Sequence, residues 1–592
     1  MELTRTFDIL ENAVQNYSFK NDFLAEKKNG KWIGYSPYQY KQFSLWLGIA
    51  FLQLGLKPGD KIATISNNRP QWNFVDMAAA QTGLIHVPIY TTITPDEFEY
   101  ILRHSESKLI FVSDKYLFEK INPIAQKLKI KYIFTFDNVP NAPHWEDLLK
   151  IGQENATTKN INLIDKIKNS ISKDDVVSIL YTSGTTGLSK GVMLTHWNFM
   201  YQVNVIPGLI NLTPDDLGLS FLPLCHSLER IVNYIYQAMG VSTYYAESLQ
   251  RLADNMRQVR PTIFATVPRV LERIYDKILA KGQQLEGAKR KIFFWALDLA
   301  NKFELHKKNP VYKTKLALAD SLVFSQWRKA IGSRIRYIIS GGAKLDPKLA
   351  KIFWAAGMHV LEGYGLTETA PVIAVNNPKK GVRLGSVGKT LGPEQKVTLA
   401  SDGELLFKGP NLMKGYYKDQ KKTKEVIDKN GWFHTGDIAK IDKDGFIFIV
   451  DRKKEIFKLS NGKYIAPQAI ENKLQQSVFI EQALVVGDHQ KMPGVIIVPN
   501  FEMLHQWANE HKILFSNNSD LIKKPAVQKL FRDEINKINK NLGPYERIGV
   551  FRLITDQWSP ATGELSPTLK KRRYILHQKY KDLINEMFQA LQ

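Results

Sequence analysis

The sequence predicts an α/β protein: a large N-terminal domain of parallel-rich sheets and helices with a small β-barrel-like subdomain, then a smaller α+β C-terminal domain. Three observations predict it. Short apolar runs alternate with amphipathic stretches as far as Gly381. Beyond Gly381 the text turns to short, glycine-bounded strands. From Arg452 a domain-sized segment begins with its own helix and strand. At 592 residues the chain exceeds what one hydrophobic core organises.

Near the start, "YKQFSLWLGIAFLQLGLKPGD" places apolar residues at helical spacing and ends on a Gly/Pro stop signal. "KIATIS" and "LIHVPIY" are short apolar runs of strand length, and "PQWNFVDMAAAQTG" between them is a helix closed by glycine. Such alternation implies a largely parallel sheet. The strand–turn–helix rhythm returns at "PTIFATVPRVLERIYDKIL" and "RIRYIISGGAKLDPKLAKIFWAAG". Later, "WFHTGDIAKIDKDGFIFIVDRKKEIFK" has the pattern of a hairpin turning at Asp444–Gly445. The boundary between domains falls at 451–454, giving 1–451 and 452–592 with a hinge near 452–454, because no Pro- or Ser-rich linker separates them.

The composition, 44% hydrophobic and 23% charged, is that of a globular chain. The N-terminal residues lack the pattern of a signal peptide, and no apolar run approaches the ~20 residues of a membrane span, so a cytoplasmic location is expected. Cys225 is the only cysteine, which excludes an intrachain disulfide. In "SFLPLCHSL" Cys225 and His226 read as strand neighbours pointing to opposite faces, which argues against a Cys–His nucleophile. The net charge of +23 is spread along the chain and carries no nucleic-acid module, so no nucleic acid is expected. Acidic small molecules and peripheral attachment to an anionic membrane surface both fit that charge.

The chemistry centres on "YTSGTTGLSKG", Tyr181 to Gly191, with three glycines, five serine or threonine hydroxyls and one lysine. Glycines let backbone N–H groups approach phosphate oxygens, Thr182, Ser183, Thr185 and Thr186 add hydroxyl donors around Gly184, and Lys190 adds a point charge. A Walker loop is excluded on two grounds. Counting from Gly184, Ser189 stands where the second glycine belongs, and "GVMLTH" afterwards reads as a strand rather than a helix.

This loop resembles the phosphate-loop signature of the adenylate-forming superfamily. "SGGAKL", "EGYGLTETAP", "GWFHTGDIA" and "DRKKEIFKLSNGKYIAP" resemble its later motifs in order, over most of the chain. The resemblance implies roles for particular residues. Tyr364, after Gly363, offers a face for stacking adenine, with Gly341, Gly342 and Ala343 against the other side. Glu368 is a hard-oxygen ligand suited to Mg²⁺, and Thr367 a donor to the α-phosphate. Asp437, in a glycine-bearing turn, and Arg452 would hold the ribose. His226 would border the acyl pocket and place the carboxylate, and Gly462 would approach coenzyme A. The catalytic cation is implied at Lys570, in "SPTLKKRR", a form similar to long-chain acyl-CoA synthetases, with Lys571 next to it.

The function implied is ATP-dependent activation of a long-chain fatty acid to its CoA thioester, through an acyl-adenylate, with release of AMP and pyrophosphate. The C-terminal domain would be mobile, rotating between the two half-reactions. Two alternatives stand beside it. One is a fatty acyl-AMP ligase that loads a carrier protein, although "DIAKIDKDGFIFIVDR" runs on without the insertion such enzymes carry. The other is a basic RNA- or membrane-binding protein with a degenerate nucleotide site.

Overall fold

The predicted runs "KIATIS" and "LIHVPIY" line up with three further strands as one parallel layer. The computed structural model, which describes residues 2–182, 189–305, 309–566 and 570–589, orders Val176–Thr182, Ile85–Ile89, Lys61–Ile65, Ser107–Val112 and Tyr132–Thr135 side by side. Lys190–Thr195 and then Gly415–Tyr416 extend one edge, both in antiparallel pairing. "GVMLTH" is therefore a strand, as its pattern predicts. A second sheet of nine strands runs through Val372–Val375, His359–Gly365, Tyr337–Ser340, Ile263–Thr266, Leu217–Ser220 and Ser242–Tyr245 to Leu24–Lys28, with short strands at both ends. Its centre is parallel and its margins are antiparallel.

The helices form where the sequence places them, at Pro37–Gln53, Pro70–Gln81, Pro268–Gln283 and Pro347–Ala355. Ser36 opens the first with a reciprocal cap: its Oγ accepts from the Gln39 N–H, and the Gln39 side chain accepts from the Ser36 N–H. Every residue of Pro70–Gln81 is buried, which explains why its apolar residues show no single stripe.

The strand reading of "SFLPLCHSL" is corrected. Cys225 and His226 are not in a strand; the strand Leu217–Ser220 ends before them, and they lie in the turn that enters the helix Ser227–Met239, with His226 as its N-cap. Proline at 223 and the turn bond from the His226 N–H to the Pro223 carbonyl explain the break. Cys225 is inert for a different reason from the one its pattern gave: burial pushes its thiol well above the ordinary value.

The chain divides into two compact units, the first comprising Met1–Val397, Phe407–Phe433 and Asp442–Ile447, the second Thr398–Leu406, His434–Ile441 and Phe448–Gln592. The glycine-bounded strands after Gly381 do not close a barrel. Lys396–Leu399, Glu404–Lys408, Phe433–Ile441 and Ile447–Arg452 form an open four-stranded meander. Within the second unit, Ile480–Val486, Gly494–Pro499 and Val550–Leu553 make a three-stranded sheet. Ala483, Val485, Val495 and Ile497 face one apolar cluster, while Leu484, Val486, Ile496 and Val498 face another, the two-residue period of a sheet covered on both sides.

In the first unit a buried charge network fixes the helix that begins at Ser227. Arg230 is fully buried and donates from Nε to Tyr234 Oη at 2.9 Å, from one terminal nitrogen to Ser178 Oγ at 2.6 Å and from the other to Asp76. Asp76 also accepts from Tyr234 Oη at 2.5 Å and pairs with His86 Nδ1 at 2.6 Å. Burial pushes the Asp76 carboxyl up, but Arg230 and His86 outweigh it and hold it below the usual range. Asp76→Ala strands the guanidinium without its counter-charge. It should destabilise this unit by about 3–5 kcal/mol, read as a lowered urea midpoint of tryptophan fluorescence; a loss no larger than that of an exposed ion pair would show that the network is not a keystone.

Candidate functional site

In the first unit the predicted residues gather at the ends of adjacent strands. Gly341, Gly342 and Ala343 follow the strand Tyr337–Ser340, and Gly363 to Gly365 end its neighbour His359–Gly365, with Ser340 in register with Glu362. A Cβ on Gly341 would lie 3.1 Å from Leu228 Cδ2 and 3.7 Å from the Gly363 carbonyl oxygen, so both strand ends close on the start of the His226 helix. Gly342 takes φ +80°, open to glycine. At Gly365 a Cβ would come within 1.7 Å of the Pro371 carbonyl oxygen, so no larger residue fits beside Tyr364. Tyr364 is half-buried and pairs across the strands with Ala374.

Thr367 and Glu368 lie in the short 3₁₀ turn Thr367–Thr369. That turn is held from outside: the Met413 N–H donates to the Glu368 carbonyl at 2.7 Å, Asn411 Nδ2 to the Thr369 carbonyl at 2.5 Å, and Gln202 Nε2 to the Ala370 carbonyl at 2.5 Å. Tyr416 Oη donates to Glu368 Oε1 at 2.8 Å, and Lys190 Nζ sits 4.9 Å from the centre of the Tyr416 ring. Tyr416 thus joins the lysine of the glycine loop to the carboxylate of "LTET". Thr182 and Lys190 face each other as an antiparallel pair. Ser183, Gly184, Thr185 and Thr186 lie outside the described residues.

His226 Nδ1 accepts from the Leu228 N–H at 3.2 Å, which leaves Nε2 as the protonated ring nitrogen of the neutral imidazole. Two hydroxyls beside the predicted positions, Ser227 Oγ and Ser340 Oγ, are buried without a hydrogen-bond partner. Unsatisfied buried polar atoms are rare in folded proteins and fit a surface built to meet a ligand.

The second unit brings together Asp437 and Arg452, with Arg452 Nε 2.9 Å from Asp437 Oδ1. Asp437 is in the middle of the strand Phe433–Ile441 and not in a turn; Gly436 beside it has φ +71° yet keeps the strand paired, its N–H donating to Glu404 Oε1 at 2.9 Å. Gly462, φ +83°, closes the small hairpin Phe457–Lys458 and Tyr464–Ile465. Lys570 is exposed, its N–H donating to Ser566 Oγ at 3.0 Å. Lys571 is turned inward onto Glu471.

Among the described residues no cluster of three or more His, Cys, Asp or Glu is arranged to hold a metal ion. A single carboxylate, Glu368, fits Mg²⁺, which takes one or two carboxylates and fills its remaining positions with phosphate and water.

Sequence reasoning missed Tyr416, Ser227, Ser340 and the clamps Asn411 and Gln202. The "GYY" of Gly415–Tyr417 is the one visible signal, since it places an aromatic beside a glycine in a strand paired to the Lys190 strand.

A family model described as AMP-binding enzyme matches residues 11–417, and one described as AMP-binding enzyme C-terminal domain matches 454–592. Fatty acyl-CoA synthetase A of Dictyostelium discoideum is 31% identical over 98% of this chain and 90% of its own. Long-chain-fatty-acid–CoA ligase 1 of Homo sapiens is 31% identical over 100% of this chain and 87% of its own. The adenylation domain of a carboxylic acid reductase from Segniliparus rugosus, solved with AMP and a co-purified carboxylic acid, shares the fold at TM-score 0.76 and 20% identity, covering 99% of this chain and 94% of that one.

Next to this site, burial pushes the Glu362 carboxyl up to about 8, against smaller pulls from the Gly385 N–H and Lys344. Between its ordinary value and about 8 the folded chain holds a proton that the unfolded chain has released, so stability falls as pH rises through that window. Glu362→Gln keeps the acceptor for Gly385 and removes the ionisation. Its denaturation midpoint should match the parent at about pH 4 and exceed it at about pH 9; identical midpoints at both would show that the carboxyl ionises unhindered.

Proposed function

The chain belongs to the AMP-binding enzyme family, and from that premise we propose that it is an ATP-dependent long-chain fatty acid–CoA ligase. The acyl class rests on full-length similarity to long-chain ligases. The observation that carries the chemistry is the chain Lys190–Tyr416–Glu368 beside the glycine-lined strand ends Gly341–Ala343 and Gly363–Gly365.

In the first half-reaction a carboxylate oxygen attacks the α-phosphorus of ATP, and the bond to the β-phosphate oxygen breaks to release pyrophosphate. Lys190 and the hydroxyl loop hold the phosphates, and Thr367 donates to the α-phosphate. His226 Nε2–H donates to the incoming carboxylate. Tyr364 stacks on the base, and Asp437 with Arg452 holds the ribose. Mg²⁺ bound through Glu368 neutralises phosphate charge when present. Lys570 supplies the cation for charge that grows on the α-phosphate and carboxylate in the transition state. In the second half-reaction the thiol sulfur of coenzyme A attacks the acyl carbon, the bond to the phosphate oxygen breaks, and AMP leaves. We assign the moving part to 452–592, pivoting at 452–454, with Gly462 toward coenzyme A; the start of the C-terminal family match at 454 supports this pivot. The tight turn Asp442–Phe446, which leaves no room for an insertion, favours coenzyme A over a carrier protein as acceptor.

The charge supports attachment to an anionic membrane. Residues 268–336 hold sixteen lysines and arginines against six acids, close to half of the net +23, so the excess is concentrated rather than evenly spread. On the helices Gly287–Asn301 and Pro310–Ala319 and the turn after them, Ile292, Phe294, Val311, Leu318 and Leu322 are exposed among Lys289, Arg290, Lys291, Lys313 and Lys315. Apolar side chains amid cations suit a surface of acyl chains and anionic headgroups. Among the described residues no helix is long and apolar enough to cross a membrane.

Two measurements test the reading. ATP–pyrophosphate exchange should rise with fatty-acid chain length. Lys570→Ala should lower it by about a hundredfold or more, yet leave thioester formation from supplied acyl-adenylate within about threefold of the parent; equal loss of both half-reactions removes Lys570 from this role. Sedimentation with phosphatidylglycerol vesicles should exceed that with neutral phosphatidylcholine and fall with salt. Leu318→Asp with Leu322→Asp should weaken it while exchange persists. Equal binding to both vesicles, or none, counts against a membrane face.

A further inference from the structure

Around Lys570 the second unit buries a set of charges that the proposed chemistry does not use. Glu471, on the helix Pro467–Leu474, has no exposed surface. Its carboxylate accepts from the Val485 N–H at 2.8 Å, from Arg573 Nη1 and Nη2 at 2.8 and 2.7 Å, and from Lys571 Nζ. The second edge of Arg573 is also engaged, Nε donating to Glu455 Oε2 at 2.8 Å. Glu455 lies in the turn that begins at Arg452, its N–H bonded to the Arg452 carbonyl at 3.0 Å.

At the other end, Lys571 pairs with Leu565 in an antiparallel bridge, and the Ser566 N–H donates to the Lys570 carbonyl at 2.7 Å. A continuous run of charge-assisted bonds therefore leads from the pivot turn through Glu455, Arg573, Glu471 and Lys571 to the residue beside Lys570.

We propose that Glu455, Arg573 and Glu471 are a positioning strut, which ties the pivot turn to the Lys570 segment so that rotation at the pivot sets where the lysine stands. This rests on the reading of Lys570 as the adenylating cation. Packing alone does not account for the cluster. Burying a carboxylate costs several kcal/mol, and apolar residues of equal volume usually stabilise at least as well. What an ionic cluster adds is fixed geometry. Arg573 presents a planar fork whose two faces of hydrogen bonding are set at a constant angle, so a carboxylate on each edge locks two chain segments together. Lysine at 573 would give neither the fork nor the second edge.

Glu455 is the variant of choice, because its side chain is partly exposed and its loss leaves the Glu471–Arg573–Lys571 core intact. Glu455→Ala should lower the kcat of ATP–pyrophosphate exchange by about tenfold, the worth of one charge-assisted hydrogen bond, with the KM values for ATP and fatty acid and the rate of thioester formation from supplied acyl-adenylate each within about twofold. Glu455→Gln, which keeps an acceptor for Arg573 Nε, should recover most of the exchange. If Glu455→Ala exchanges at the parental rate while Lys570→Ala is inert, the strut is wrong and the lysine stands. If both half-reactions of Glu455→Ala fall together, the residue is only structural. If Lys570→Ala still exchanges, the reading beneath the strut fails first.

Discussion

Arg230 imposes the constraint on which the helix Ser227–Met239 and the strand ends beside it depend. A guanidinium removed from water is tolerated only where counter-charge and hydrogen bonds replace hydration. Here Asp76 comes from the helix Pro70–Gln81 and Ser178 from the Val176–Thr182 strand, while Tyr234 lies one turn along on the same helix as Arg230. Trp72 and Phe199 flank the guanidinium, their ring centres 5.4 and 5.1 Å away. The helix Ser227–Met239 consequently has one depth and one rotation at which Arg230 is satisfied. His226 caps that helix, and Leu228 touches the position a side chain on Gly341 would take, so the same constraint registers the imidazole against the glycine-lined strand ends. An ion pair this deep is poor evidence of net stability. Its clearer effect is to remove alternatives for a segment that must be placed to within an ångström.

A similar division of labour appears in how the two units hold their chemistry. In the first, the turn of Thr367 and Glu368 is fixed by neutral amide bonds from Asn411, Gln202 and the Met413 backbone, rigid partners that need not respond to a changing charge. Preorganised dipoles of that kind stabilise a transition state because they require no reorganisation when it forms. In the second, the residues beside Lys570 are fixed by full charges, Glu471 holding Lys571 and Arg573 at once. Charge-assisted contacts are shorter and stricter in pairing than neutral amide contacts, and they lock chain segments into one body.

Much of this was legible in the text of the chain. The strand runs "KIATIS", "LIHVPIY" and "YIIS" and the helices after them were visible because each carries its period locally. The glycine loop could be separated from a Walker loop by spacing alone, and Lys190–Thr195 is indeed a strand. Where reading failed, the cause was non-local. "LPLCH" has strand-like apolar content, yet Pro223 and the capping demand of the following helix turn it. Asp437 has turn-like neighbours, yet pairing within its sheet carries Gly436 through as a strand residue. Tyr416, Ser227 and Ser340 gain their significance only from what stands across from them, 48 residues away in the case of Tyr416 and Glu368. The charge differs: its concentration in residues 268–336 can be counted in the text, and only the exposed apolar side chains among it needed the helices of residues 287–322.

Adjacent lysines with opposite burial illustrate how little sequence separates an inward charge from an outward one. Where the chain runs as a strand, successive side chains point to opposite sides. At the bridge between Leu565 and Lys571 the side chain of Lys571 turns inward to Glu471, while Lys570 before it is exposed. Burial pulls the Lys571 ammonium below its ordinary value, with Glu471 opposing, and the pair with Glu471 is what keeps it in place. Composition makes Lys570 and Lys571 equivalent. The fold distinguishes them by one residue of register, and the buried carboxylate of Glu471 holds that register in place.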